Sequence, residues 1–291
     1  NDQSLEASSY YLCVPFGGAY KVNDWLSLSL GGRWVKGINK TQASVLLKDS
    51  PYEGVTDTEI NVDTEADASG FGFVVGADLM PVEKLVIGLH YESQVALEFE
   101  TTVNEDGTGM FEDGSKKHRD LPAVLNTGIS YEFTEKLRAE ANFNYYFQKN
   151  ADWGTMNVGG GVIQEEEISE LAGDCFTVGA ALAYKATDKL DLSAGFSYTN
   201  FMYPDETDKA WYYSEMGWFE ALKNPNTNIG IGGSYAIMEN LRLNVAAGMT
   251  IWKDYDIESS AAGNLALLGL PIQNTTVHTE DNAFSAAIGL N

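Results

Sequence analysis

The 291 residues contain no run approaching the roughly 20 consecutive apolar residues of a membrane-spanning helix. That excludes a helical membrane protein and leaves strands untouched, because alternation averages out in hydropathy. Basic residues are scarce, with 18 Lys and Arg against 42 Asp and Glu, a formal net charge of −24. A nucleic-acid partner is thereby excluded, since a phosphate backbone needs cations to neutralise it. Two cysteines, Cys13 and Cys175, are too few for a disulfide scaffold and show no metal-ligand spacing. The histidines His90, His118 and His278 lie far apart without a partner pattern, so no metal site is expected. No nucleophile elbow, Gly-rich phosphate loop or HExxH motif occurs, and the expectation is a chain that is not an enzyme, with no catalytic residue and no cofactor. Residues 1–10, NDQSLEASSY, lack the basic and apolar regions of a signal peptide; the expectation is a leader already removed or a start within a longer precursor. Proline is sparse at 7, while 29 Gly and 15 Tyr suit β-structure.

What is present is a repeat. YKVNDWL (20–26), LMPVEKL (79–85), YEFTEKL (131–137), YKATDKL (184–190) and YAIMENL (235–241) each place an aromatic or Leu, five mostly turn-forming residues and then a Leu. Successive copies lie 51 to 59 residues apart. Both flanks alternate. Leu137, Ala139, Ala141, Phe143, Tyr145 and Phe147 share one face, and Arg138, Glu140, Asn142 and Asn144 the other. The second copy is preceded by Phe71, Phe73, Val75 and Ala77 and followed by Leu85, Ile87, Leu89, Tyr91, Val95, Leu97 and Phe99. Eleven strands are expected, each longer than the usual 5–6 residues and matching the roughly 9–11 of a tilted strand that crosses a bilayer.

The apolar rows carry aromatics near their ends: Tyr20, Tyr131, Tyr184 and Tyr235 beside the short turns, and Trp34, Phe147, Tyr198 and Trp252 toward the far ends. Such rows predict interfacial girdles. The other connections are long, over 38–68, 101–121, 151–175, 204–226 and 254–282, and hold 28 of the 42 acidic residues but 7 of the 18 basic ones. Short turns alternating with long loops predict an antiparallel outer-membrane β-barrel, all-β, with residues 1–291 in a single domain and the acidic loops outside the cell. The apolar face meets lipid and the other lines a polar lumen, where His90, Cys13 and Cys175 also point. Membrane lipids are the expected partner, and the chain is expected to act as a monomer.

Two segments carry a family resemblance. SGFGFVVGADLMPVEKLVIGLHYES (69–93) and LPAVLNTGISYEFTEKLRAEANFNYYF (121–147) resemble the FadL/OmpP1/TodX outer-membrane transporters, in which a Gly-rich strand enters a P-x-(D/E)-K-L turn and leaves as G-L-x-Y-x-S. The likeness extends over roughly 69–252. It implies a fourteen-stranded barrel carrying long-chain fatty acids or other hydrophobic compounds across the outer membrane, with an N-terminal plug and a sideways exit through a gap in the wall. Eleven strands, nothing ahead of Asn1 and an end at AAIGLN depart from that pattern, so the expectation is a partial record of a longer chain. The alternatives are a general porin or a barrel serving as a surface adhesin or antigen.

Two loops hold apolar residues that a solvated loop does not need. In 209–225, Trp211, Trp218, Phe219 and Leu222 fall at helical spacing; in 263–272, Leu265, Leu267, Leu268, Leu270 and Ile272 cluster. They are the candidate ligand-binding groove, with packing as a lid as the plainer alternative. The acidic runs Glu165–Glu166–Glu167 and Asp63–Glu65–Asp67 read as solvated charge rather than calcium sites.

Overall fold

The computed structural model describes residues 2–47, 58–157, 165–202, 225–259 and 275–290. Its strands are β1 (Asp2–Lys21), β2 (Leu26–Leu47), β3 (Thr58–Val82), β4 (Leu85–Glu92), β5 (Glu98–Asp106), β6 (Lys116–His118), β7 (Ala123–Glu132), β8 (Leu137–Phe147), β9 (Thr155–Asn157), β10 (Glu165–Glu167), β11 (Asp174–Lys185), β12 (Leu190–Met202), β13 (Asn226–Met238), β14 (Leu241–Trp252), β15 (Tyr255–Ser259), β16 (Thr275–Thr279) and β17 (Asn282–Leu290). One antiparallel sheet runs in the order β1-β2-β3-β4-β7-β8-β11-β12-β13-β14-β17, the eleven strands that alternation predicts. A side branch adds β5 on β3 and β6 on β5. Two ribbons, β9 with β10 and β15 with β16, stand apart from this sheet.

The register explains why each strand keeps two unlike faces. Tyr131, Ala139, Leu182 and Ala194 share one row across β7, β8, β11 and β12, while Ser130, Glu140, Ala181 and Gly195 share the opposite row. Because side chains alternate with period two, one row follows the other around the whole sheet. The first face exposes Leu30, Phe71, Phe73, Ile129, Leu182, Phe196, Ile231, Val245 and Ile288 to the surroundings. An apolar face this extensive is not compatible with water and is the surface that meets lipid. Toward one end its aromatics touch in sequence: Phe147 with Tyr145 (ring centroids 4.8 Å apart), Tyr145 with Phe143, Phe143 with Phe176, and Phe176 with Tyr198.

All five repeat copies are turns, and they divide by their fourth residue. Asn23 Oδ1 accepts the N–H groups of Trp25 and Leu26 at 3.0 and 2.9 Å. Thr134 Oγ1 does the same for Lys136 and Leu137, at 3.2 and 3.0 Å, and Thr187 Oγ1 for Lys189 and Leu190, also at 3.2 and 3.0 Å. A short polar side chain satisfies backbone donors that the bend removes from the ladder. The other two copies carry Val82 and Met238 there, cannot do this, and instead shift register, between Leu79 and Val82 and between Ala236 and Met238.

Three strands are far longer than a bilayer needs: β1 has 20 residues, β2 has 22 and β3 has 25. The loop expected over 38–68 is therefore strand up to Leu47 and again from Thr58, and that expected over 101–121 contains the end of β5 and all of β6. The acids suggest a solvated loop, yet Asp63, Glu65 and Asp67 alternate along β3 and meet Gln42 (3.2 Å), Lys40 (2.7 Å) and Lys36 across the ladder. In 151–175 lie β9, β10 and the short helix α1 (Ile168–Ala172), and in 254–282 the ribbon of β15 and β16.

A second correction concerns Val95, Leu97 and Phe99. Continued alternation places them in the lipid-facing row, but the structure buries them at 0, 0 and 2% exposure. The β3–β4 ladder stops at Val74 opposite Glu92 and the β3–β5 ladder resumes at Asp67 opposite Glu100. Between them the chain folds over the polar face of β3, where a side chain on Gly70 would strike the Ala96 carbonyl and the Val95 side chain, and one on Gly72 the Val95 and Ser93 side chains. Only glycine permits so close an approach. Val35, Ala68, Val95, Leu97 and Phe99 thereby form an apolar core inside the wall, with Ala66 and Leu121 against it.

Candidate transport lumen

The polar face is built of small and hydrogen-bonding residues. Around one level run His90, Asn126, Asn144, Thr177, Thr199 and Asn226; one step along run Gly88, Gly128, Asn142, Gly179, Ser197, Asn228 and Thr250. Neighbours bind each other: Thr177 and Thr199 hydroxyls at 2.9 Å, Asn228 Nδ2 donating to Ser197 Oγ at 3.3 Å, and Thr250 Oγ1 donating to Asn228 Oδ1 at 2.6 Å. Farther along, Gly195, Gly230, Gly232, Gly248 and Ala246 leave the face bare and line a cavity of about 450 Å³.

The arginines on this face each meet an acid. Arg33 is forked between the Glu92 carboxylate and the Ser93 carbonyl, the latter at 3.0 Å, and His90 Nε2 lies 3.1 Å from the other Glu92 oxygen. Arg138 meets Glu140 at 3.0 Å, and Arg242 binds Asp191 while its Nε donates to Ser234 Oγ at 2.9 Å. Arg33 is the most sequestered, with its side chain 13% exposed beneath the inward segment.

That segment is held by Asp120, a carboxylate only 5% exposed. It accepts the Leu97 N–H at 2.9 Å, Gln94 Nε2 at 2.6 Å and the Asp152 N–H at 3.3 Å, and its carbonyl accepts Trp153 Nε1 at 2.8 Å. Val95 and Leu121 exchange backbone hydrogen bonds, each 3.0 Å. Nearby, Lys116 donates to Glu98 at 2.6 Å, holding that carboxyl below its ordinary range by hydrogen bond and charge. Asp120 has no signal in the sequence, because a lone acid in a loop carries no pattern; the pair of Trp153 and Asp120 is made by the fold.

Of the sequence-predicted girdle residues, Tyr20, Trp34, Tyr131, Phe147, Tyr184, Tyr198 and Tyr235 share the apolar face by register. Trp252 is a correction: it stands opposite Asn226, on the polar face with Thr250 and Asn228. It is the next residue after the outward Ile251, and a period of two turns it inward. His90 and Cys175 fall on the polar face as their parity predicts, opposite Asn126 and Tyr146, and Cys13 does so opposite Val35. The candidate groove residues Trp211, Trp218, Phe219, Leu222, Leu265, Leu267, Leu268 and Leu270, with Ile272, lie outside the described residues.

An antiparallel sheet apolar on one face and polar, small and ion-paired on the other is the wall of an outer-membrane channel. The family can be stated: residues 11–291 match the model of the outer membrane protein transport protein family, OMPP1/FadL/TodX, and the chain belongs to it. It is a bacterial outer-membrane β-barrel of a family that transports hydrophobic compounds and is not enzymatic. Its fold is similar to that of a Pseudomonas aeruginosa FadL homologue (14% identity, TM-score 0.65, covering 98% of this chain and 67% of that one). It is also similar to the Ralstonia pickettii toluene transporter TbuX (19%, 0.52, covering 96% and 67%) and the Pseudomonas putida toluene transporter TodX (16%, 0.52, covering 96% and 69%). No curated protein matches the chain.

Proposed function

We propose that this protein catches hydrophobic molecules, fatty acid or hydrocarbon, at its extracellular loops and passes them inward along the lumen. Membership of the family supports the direction of this reading. The observation that carries it is the division of the sheet into an exposed apolar band and a polar face lined by paired charges and bare glycines. The loops over 209–225 and 263–272 are the proposed capture groove, because their Trp and Leu residues are apolar matter in otherwise acidic connections. The seven outward aromatics from Tyr20 to Tyr235 anchor the wall at the two interfaces, where amphipathic rings settle.

The lumen's Asn, Ser and Thr rows also favour a second reading, a water-filled pore. Reconstitution in planar bilayers separates the two. The transporter shows little steady conductance and binds a hydrophobic probe, and replacing Trp218 and Leu268 with Ser weakens that binding at least several-fold. Large, steady ion currents with no probe binding would establish the pore instead.

A further inference from the structure

We infer that this lumen prefers uncharged hydrophobic molecules to alkyl carboxylates, with Glu92 as the residue that sets the preference; this rests on the transport reading above. A carboxylate head taken out of water needs a cation. Among the described residues the polar face of the eleven wall strands has five by register, Lys21, Arg33, Arg138, Lys185 and Arg242, and each already has an acid within ion-pair reach; a sixth, Lys117 on the side branch opposite Phe99, is exposed. The partners are Asp24 at 2.8 Å, Glu92, Glu140 at 3.0 Å, Asp188 at 3.8 Å and Asp191. Asp78 and Glu132 stand on the same face as further carboxylates, opposite Ser27 and Arg138. The fourth arginine, Arg119, is taken up by the carbonyls of His118 and Trp153.

Arg33 decides the matter because it is the deepest of these cations. Its guanidinium is the natural seat for a carboxylate, presenting a planar fork of donors. Glu92 takes Nη1 of that fork and the Ser93 carbonyl takes Nη2, leaving only the buried Nε without a partner, and Glu92 is itself only 26% exposed, with His90 on its second oxygen. An incoming carboxylate would have to displace Glu92 and leave it half-buried beside a second negative charge. An ester, alcohol or hydrocarbon makes no such demand and needs only the bare Gly and Ala surface farther along.

The test compares two molecules with the same chain, laurate and methyl laurate, entering vesicles that contain the full-length protein, against protein-free vesicles of equal composition. The expected result is methyl laurate entering at least ten-fold faster than laurate above background. Glu92→Gln should free Arg33 and raise the laurate-to-ester ratio at least five-fold, while Asp191→Asn, near the periplasmic turns, should raise it less. Folding of each variant is checked by heat-modifiable gel mobility. Laurate entering the wild type as fast as its ester overturns the inference, as does a folded pair of variants with the wild-type ratio. If neither molecule enters above background, the transport reading itself falls and this inference with it.

Discussion

The stretch of wall from β11 to β14 and the stretch from β3 to β5 start from the same alternation and end differently. In the first, the ladder from Lys185 opposite Asp191 to Asn226 opposite Trp252 is broken only by the register shift between Ala236 and Met238, at the turn. In the second it is interrupted, and three apolar residues that alternation assigns to lipid are folded into the interior. The difference lies in what each inner face can receive. At Gly230 an added side chain would meet the Ala247 carbonyl at 3.8 Å, ordinary contact, whereas at Gly70 the space is already filled by residues 95 and 96. Gly230 leaves the lumen face open; Gly70, under the break, lets the chain close upon itself.

The sharpest way to break this comparison is Gly70→Val, which drives branched carbon into the Ala96 carbonyl; overpacking should cost about 3 kcal/mol. Gly230→Ala should change stability by less than about 0.5 kcal/mol. Urea unfolding of the refolded protein in detergent reads both, and equal effects would mean that the two regions do not differ in packing. Next is Asp120→Ala, which orphans the Leu97 and Asp152 N–H groups and Gln94; with partly buried donors the expected loss is roughly 2 kcal/mol. It should also bring new protease cleavage within 93–99, while the β11–β14 wall stays resistant.

A smaller effect separates the turns. Thr187→Ala removes an acceptor for two backbone donors and should cost about 1 kcal/mol, whereas Met238→Ala, in a turn that never had the acceptor, should cost less. Smallest is a pH effect confined to the outer end of β5. There Asp106 accepts the Thr108 hydroxyl and the N–H groups of Phe111, Thr108 and Gly109, and these bonds hold its carboxyl below the ordinary aspartate range. A lowered folded value means that the contribution is complete at neutral pH and lost as pH falls below the ordinary range through that lowered value. Amide exchange at Phe111 should quicken there, with exchange in β12 unchanged.

Most of the wall was legible because period two is a one-dimensional signal: the row from Leu137 to Phe147 needs no knowledge of its neighbours to declare a face. The turns were equally local, each marked by a Tyr or Leu, a polar middle and a Leu. The break was illegible because it depends on residues far apart in the chain, Gly70 and Gly72 against Ser93 to Leu97, and on Asp120 to pin them. Trp252 departs from expectation for a plainer reason: its aromatic character argues for an interface, while its parity turns it inward. The strand extension over Thr58–Ala68 was hidden because its acids suggested water, and the Lys36 and Lys40 partners lie on another strand. Of the candidate sites, the lumen's charges were visible as residues but not as pairs, since Arg33 and Glu92 are 59 positions apart.

The long hairpin of β2 and β3 has a mechanical meaning. From Trp34 to Leu47 the paired strands continue for thirteen positions, which at about 3.3 Å per residue is a rise of roughly 40 Å along the strand. A flexible loop of that length would coil back near the surface, but a hydrogen-bonded ribbon acts as a mast and stays extended up to Leu47 and Thr58. Whatever approaches the cell at this spot touches that mast before it reaches the bilayer.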